Sequence, residues 1–205
     1  MRRKYLGASV LLVFGILMIL SADSKPQEDQ RETFSAMAYL PSITEVRMVA
    51  PSANRNVTIY IESYSPDEDA QRLEQALLSG GQDALVKAME RMATIGKVEL
   101  TGRGGFFDLK FIRSKPMDGG GRRIIAACDR PIQFLESYEA DGSVDYKIGI
   151  VEFDLKEKIE QGGKKIEEGE GALIYAAKIK IIEDKKIEIE NYGVEPAKLM
   201  GIRKL

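Results

Sequence analysis

The chain contains no histidine, no tryptophan and one cysteine, Cys128. Without histidine, Ser-His-Asp and Cys-His nucleophile systems, most catalytic zinc sites and the usual general base near neutral pH are excluded. A single cysteine cannot close an internal disulfide, so the fold relies on packing. Within the run Ile124-Ile125-Ala126-Ala127-Cys128, its thiol reads as a small buried apolar group. No excess of basic charge is present either. Without Arg2, Arg3, Lys4 and Asp23, the chain keeps 27 basic and 31 acidic residues, a formal charge of −4. That balance gives no electrostatic case for nucleic acid.

What is present begins with a leader. Arg2, Arg3 and Lys4 precede an apolar run from Leu6 to Leu20, and small residues follow at Ala22-Asp23-Ser24. This is the layout of a secretory signal peptide, with cleavage expected after Ser24. The rival reading is an uncleaved anchor, because residues 5–22 reach the roughly 17-residue lower limit for spanning a bilayer. Either way the positive flank stays cytoplasmic and the remainder is exported, periplasmic or secreted. Residues 1–24 are therefore read as signal peptide or anchor, 25–32 as a solvated polar linker and 33–205 as one domain.

Within that domain, strand patterns run through 33–39 and 43–49 and are clearest at Val57-Thr58-Ile59-Tyr60-Ile61-Glu62, where apolar and polar residues alternate. Ser65-Pro66-Asp67-Glu68 reads as an N-cap serine, a first-turn proline and an acidic first turn. Apolar stripes at Leu73, Ala76, Leu77 and at Ala84, Leu85, Ala88, Met89, Met92, broken by Gly80-Gly81, predict a pair of helices. Strands are then expected at 98–101, 106–113, 122–128, 132–138 and 144–155. The charge-dense, glycine-punctuated segment 156–171 reads as a long exposed connection. A closing hairpin, 172–182 and 186–192, and a short strand at 198–203 complete the pattern. The fold class is thus α+β: about nine mainly antiparallel strands in a sandwich or partly open barrel, with one helix pair.

Glu32-Thr33-Phe34-Ser35-Ala36, Tyr60-Ile61-Glu62-Ser63-Tyr64, Gly80-Gly81-Gln82-Asp83-Ala84-Leu85, Arg130-Pro131-Ile132 and Ile187-Glu188-Ile189-Glu190-Asn191-Tyr192-Gly193 resemble a family of secreted bacterial proteins of unknown function. The resemblance spans nearly the whole domain. It implies export and these boundaries, and it brings no activity, cofactor or site residues.

The candidate constellations each have a plain alternative. Gly102-Arg103-Gly104-Gly105 and Gly119-Gly120-Gly121-Arg122-Arg123 are rich enough in glycine and arginine to cradle an anion, yet both lead into strands, as hairpin turns do. Asp67, Glu68 and Asp69 offer oxygen ligands, but without a calcium-loop pattern they read as a helix start. Asp108, Asp129 and Glu152 are the carboxylates for a glycosidase-like pair, or else a solvated strand face. Tyr39, Tyr60, Tyr64, Tyr138, Tyr146, Tyr175, Tyr192, Phe106, Phe107, Phe111, Phe134 and Phe153 suit an apolar ligand cavity or an ordinary β-core. Asn56-Val57-Thr58 fits a glycosylation acceptor formally. No catalytic residue, cofactor or metal ligand is assigned.

The expected function is a non-enzymatic exported or envelope-associated domain that binds a protein or another envelope component. A carrier of a small apolar ligand is the alternative, and a carboxylate-dependent hydrolase the third.

Overall fold

Along Glu32–Leu40 (β1), residues Glu32, Phe34, Ala36 and Ala38 are buried, and the residues between them face outward. The same period of two recurs in Ala53–Ile61 (β2), where Val57, Ile59 and Ile61 point inward. The structure, a computed structural model, describes residues 31–40, 53–102, 105–132, 145–160, 162–181, 187–192 and 195–205. The expected leader, most of the linker, the strand at 43–49 and, apart from Ile132, the strand at 132–138, with Phe134 and Tyr138, lie outside the described residues.

The remaining elements are helix α1 (Asp67–Glu90), β3 (Gly96–Leu100), β4 (Phe106–Pro116), β5 (Arg122–Cys128), β6 (Ile148–Ile159), β7 (Lys165–Ile181), β8 (Ile187–Asn191) and β9 (Ala197–Lys204). The ladders run β6-β5-β4-β3-β2-β1-β9-β7-β8, and β6 also pairs with β7. That last pairing closes eight antiparallel strands into a barrel, while β8 hangs on the C-terminal half of β7. The architecture is therefore a closed barrel and not a sandwich. Closure removes the open edges that a sandwich would keep.

Eight strands leave an interior that side chains can fill. Here Phe34, Ile59, Ile124 and Phe153 are all buried within it, with Phe34 and Phe153 edge to face at 5.2 Å between ring centroids. The close approach of β6 and β7 at Phe153 depends on Gly171, its cross-strand partner. A Cβ on Gly171 would stand 2.1 Å from the Glu152 carbonyl oxygen.

A second apolar layer lies outside the barrel. Leu73, Leu77, Leu85, Val86 and Met89 of α1 pack on Ile148, Ile150, Ile174 and Ala177 of β6 and β7, each large side chain contributing roughly 1.5–3 kcal/mol by burial. Strand β6 is consequently buried on both faces from Ile148 to Val151. The expected helix pair is one helix with a kink. Gly80 and Gly81 leave helical geometry, Gly81 at φ 65° and ψ −160°, and the chain resumes its helical path directly. Ser65 does not cap it. The preceding position is Pro66, without a side-chain cap, and Ser65 Oγ instead accepts a hydrogen bond from Ile112 N–H at 3.0 Å. Arg113 fixes the helix start, donating to Ser65 O at 2.9 Å and pairing with Asp67 at 2.6 Å.

The largest departure from expectation is 156–171, which is not an open connection. Its two halves extend β6 and β7 as a hairpin arm around Gly162 and Gly163, with Lys156↔Glu168 through Ile159↔Lys165 in register. Lys158–Glu168 at 2.6 Å and Lys165–Glu157 at 3.3 Å link the arm's two strands. Among the described residues no helix is long and apolar enough to cross a membrane.

Candidate functional site

The densest polar constellation closes the barrel end where β1 begins and β9 finishes. Inward alternation continues there, but the residues are charged: Glu32 extends the row Phe34, Ala36, Ala38, and Arg122 extends Ile124, Ala126, Cys128. Arg122 donates to both Glu32 oxygens at 3.0 and 2.8 Å, to both Glu167 oxygens at 2.9 and 2.6 Å, and to the Tyr64 hydroxyl at 3.1 Å. Lys204 Nζ donates to Glu32 at 2.6 Å, and Tyr64 O–H donates to the same carboxylate. The Arg122 guanidinium lies over the Phe34 ring, 5.9 Å from its centroid. The Glu32 side chain is 1% exposed and that of Arg122 16%.

The electrostatics are self-contained. Burial pushes the Glu32 carboxyl up, but hydrogen bonds from Arg122, Lys204 and Tyr64 outweigh it and hold the carboxyl at about 2. Burial and the Glu32 charge both push the Tyr64 phenol well above its usual range. For Arg122, burial works against the charge and the bonds to Glu32 and Glu167 prevail, so the guanidinium stays charged. Two carboxylates meet two cations, and the five N–H donors of Arg122 are engaged. Chemically, this arrangement ties β1, β5, β7, β9 and the segment after β2 together.

The neighbouring Arg123 points outward. It donates to Asp154 at 2.6 and 2.8 Å and lies 3.4 Å from Glu152. Burial raises the Glu152 carboxyl, Arg123 opposes this and Asp154 adds to it. Of the three predicted carboxylates, Glu152 stands opposite Ile125, while Asp129 follows the other end of β5 and Asp108 sits 3.9 Å from Arg130. Ile125 and Cys128 are three strand positions apart, roughly 10 Å. The structure thus separates Glu152 from Asp108 and Asp129.

The other sequence candidates also find places. Gly119, Gly120 and Gly121 take positive φ in the β4–β5 turn, closed by Met117 N–H to Gly121 O at 3.1 Å. Arg122 and Arg123 leave that turn for carboxylates inside and outside the barrel. Arg103 and Gly104 lie outside the described residues. Asp67 and Asp69 serve the helix start, paired with Arg113 and Arg72. Cys128 is buried, and burial pushes its thiol up.

The aromatic residues divide among the barrel interior, the outer face and the far end. Tyr60 and Phe106 meet edge to face on the outer face, and at the far end Tyr192 contacts Tyr146 and Tyr175 at 5.3 and 6.4 Å. Burial, with a hydrogen bond to Glu190, pushes Tyr146 up to about 12. Among the described residues no group of three His, Cys, Asp or Glu is placed to hold a metal ion.

Sequence reasoning singled out Arg122 and missed what it binds. The polar composition of 25–32 places Glu32 in a solvated linker, yet it is the first residue of β1 and among the most buried charges described. The available signal was parity, since Glu32 falls in step with Phe34, Ala36 and Ala38. Glu167 and Lys204 fall likewise on inward positions of their strands. No family model, no curated protein and no solved structure matches the chain.

Proposed function

We propose that this chain is a non-enzymatic, envelope-associated binding domain, exported by its N-terminal leader and presenting the outer barrel wall to a partner protein. The resemblance to secreted bacterial proteins belongs to the same proposal. The observation that carries it is the asymmetry of the outer wall. Helix α1 covers β6 and β7, whereas β9, β1 and β2 have no covering layer among the described elements. On that bare wall Met37 stands directly opposite Met200, at 40% and 39% exposure. Exposed methionines adapt to varied partner surfaces. Their outward neighbours on β9, β1 and β2 include Lys198 and no carboxylate, and Arg203 beside them is paired with Glu168 of β7 at 3.1 Å, so Lys198 is the cation that favours an acidic partner. The neutralised Glu32–Arg122–Glu167–Lys204 cluster supports a structural rather than a reactive role for the most buried charges.

The test is capture from envelope extract by the chain and by its Met37→Asp/Met200→Asp variant. A protein retained by the first and lost by the second supports the reading, and nothing retained above control counts against it. A carrier of an apolar ligand is less well supported, because Phe34, Ile59, Ile124 and Phe153 occupy the barrel interior.

A further inference from the structure

We propose that the outer edge of β8 takes up an extended segment of a partner protein as an added antiparallel strand, with a basic residue of that segment opposite Glu188 and an apolar residue on either side of it. The site uses main-chain groups of β8 and none of the Met37–Met200 wall, so either reading can fail without the other.

Closure gives the barrel strands partners on both sides, but β8 stands outside it. Among the described residues it pairs along its whole length with β7 alone. Two hydrogen bonds fix which of its groups face outward. Ile179 N–H leaves β7 on the side away from β8, for Gln82, while Tyr192 N–H bonds Ala176 O. Bonded and non-bonded pairs alternate along an antiparallel ladder, so Lys178 and Lys180 exchange bonds with Glu190 and Glu188. Ile187, Ile189 and Asn191 therefore turn N–H and C=O to the other edge, a row of donors and acceptors spaced for one more strand. Edge strands are commonly blunted by lysine, proline or a bulge. Ile187-Glu188-Ile189-Glu190-Asn191 has none of these and keeps one register against β7.

The side chains select the occupant. Ile187 and Ile189 lie half-buried against the apolar layer under α1, so apolar residues opposite them extend that layer. Glu188 and Glu190 take the other face. Lys178 and Lys180 stand behind them on β7, but Lys178 is paired with Asp145 at 2.7 Å and Lys180 with Glu190. Glu188 has no ion pair among the described residues, which makes it the charge an incoming strand meets. A second copy of β8 is a poor occupant. Each antiparallel register that joins two or more of the outward residues sets Glu188 against Glu190, or one of them against itself. Like charges directly opposite repel, whereas a basic residue there attracts. Main-chain bonding with selection at alternate side chains is how a sheet edge recognises an extended peptide.

The experiment follows amide exchange of the full chain by NMR with a capped peptide, Val-Thr-Val-Lys-Val-Thr-Val, in large excess. When its lysine meets Glu188, the flanking valine N–H groups fall opposite Ile187 and Ile189. In the free chain Ile187 and Ile189 are expected to exchange faster than Glu188 and Glu190, and the peptide to slow both on the order of 10-fold. Glutamate in place of the peptide's lysine should weaken binding about 10-fold, and Glu188→Lys should reverse that preference. Retained protection of Ile59, in the barrel interior, shows that this variant is folded. Methylating the valine amide nitrogens should abolish the slowing, and methylating those of lysine and threonine should not. Ile187 and Ile189 amides already protected in the free chain overturn the proposal, because the edge is then occupied by the chain itself. It is equally overturned by no slowing with peptide, by equal effects of the lysine and glutamate peptides, or by binding that survives valine methylation.

Discussion

Arg122 and Glu32 stand ninety residues apart in the chain and meet as a bidentate pair, two guanidinium N–H groups on two carboxylate oxygens at 3.0 and 2.8 Å. Because Glu32 is buried, removing Arg122 strands a charge. Arg122→Met is expected to destabilise the fold by about 3–5 kcal/mol, whereas the paired change Arg122→Met/Glu32→Met should recover much of that loss. Urea unfolding of the three proteins measures this. A single variant as stable as the parent would show that the pair is not a tie.

The same pair sets a response to acid. The folded-state value of Glu32 is about 2 against the ordinary 4.5, so the group is depressed on folding. Its contribution is present above the ordinary value and is lost as pH falls from about 4.5 toward 2. The stability gap between the parent and Glu32→Gln should therefore narrow across that window and stay constant above it. Unfolding midpoints at a series of pH values check this, and a gap that widens on acidification would contradict it.

Much of the barrel was legible because inward and outward residues alternate wherever one face meets the interior, as in Val57, Ile59 and Ile61. Closure was not legible. It depends on β6 pairing with β7 through a segment whose lysines, glutamates and glycines look like a loop, and only the cross-strand pairs Lys158–Glu168 and Lys165–Glu157 reveal why such residues sit in strands. The charged plug failed for a similar reason. Composition reads Glu32 as solvated, and its neutralising partner is too distant in sequence for any local pattern to supply. The glycines of 169–171 look like punctuation in sequence, and in the fold they are close approaches between two strands.

Those close approaches are testable. A Cβ at Gly171 would lie 2.1 Å from the Glu152 carbonyl oxygen and 2.5 Å from Phe153 Cβ, and one at Gly169 would lie 1.8 Å from the Asp154 carbonyl oxygen. All of these are well inside contact distance, and two of the obstacles are backbone. Gly171→Ala is expected to cost about 1–3 kcal/mol through overpacking and backbone shift. Gly162→Ala, with nothing within 4 Å, should cost only the strain of its positive φ. Thermal unfolding of both variants checks the order.

The kink in α1 has a purpose that the last prediction isolates. Strand β6 begins at Ile148, opposite Ala177, so beyond that point β7 has no ladder partner on its β6 side among the described residues. Gln82 fills the place: its Oε1 accepts from Ile179 N–H at 2.6 Å, and its Nε2 donates to Asp145 O at 2.7 Å. The side-chain amide continues the sheet by one step. Gly81 directs it there, with a φ of 65° and a ψ of −160° that side chains with a Cβ adopt at a cost of about 1–3 kcal/mol. Gln82→Ala leaves the Ile179 N–H without that acceptor, for about 1–3 kcal/mol. If the kink exists to aim Gln82, Gly81→Ala and Gln82→Ala share one interaction, and the double variant must lose less than the sum of the singles. Additive losses in a urea double-mutant cycle would mean that the kink and the amide serve separate ends.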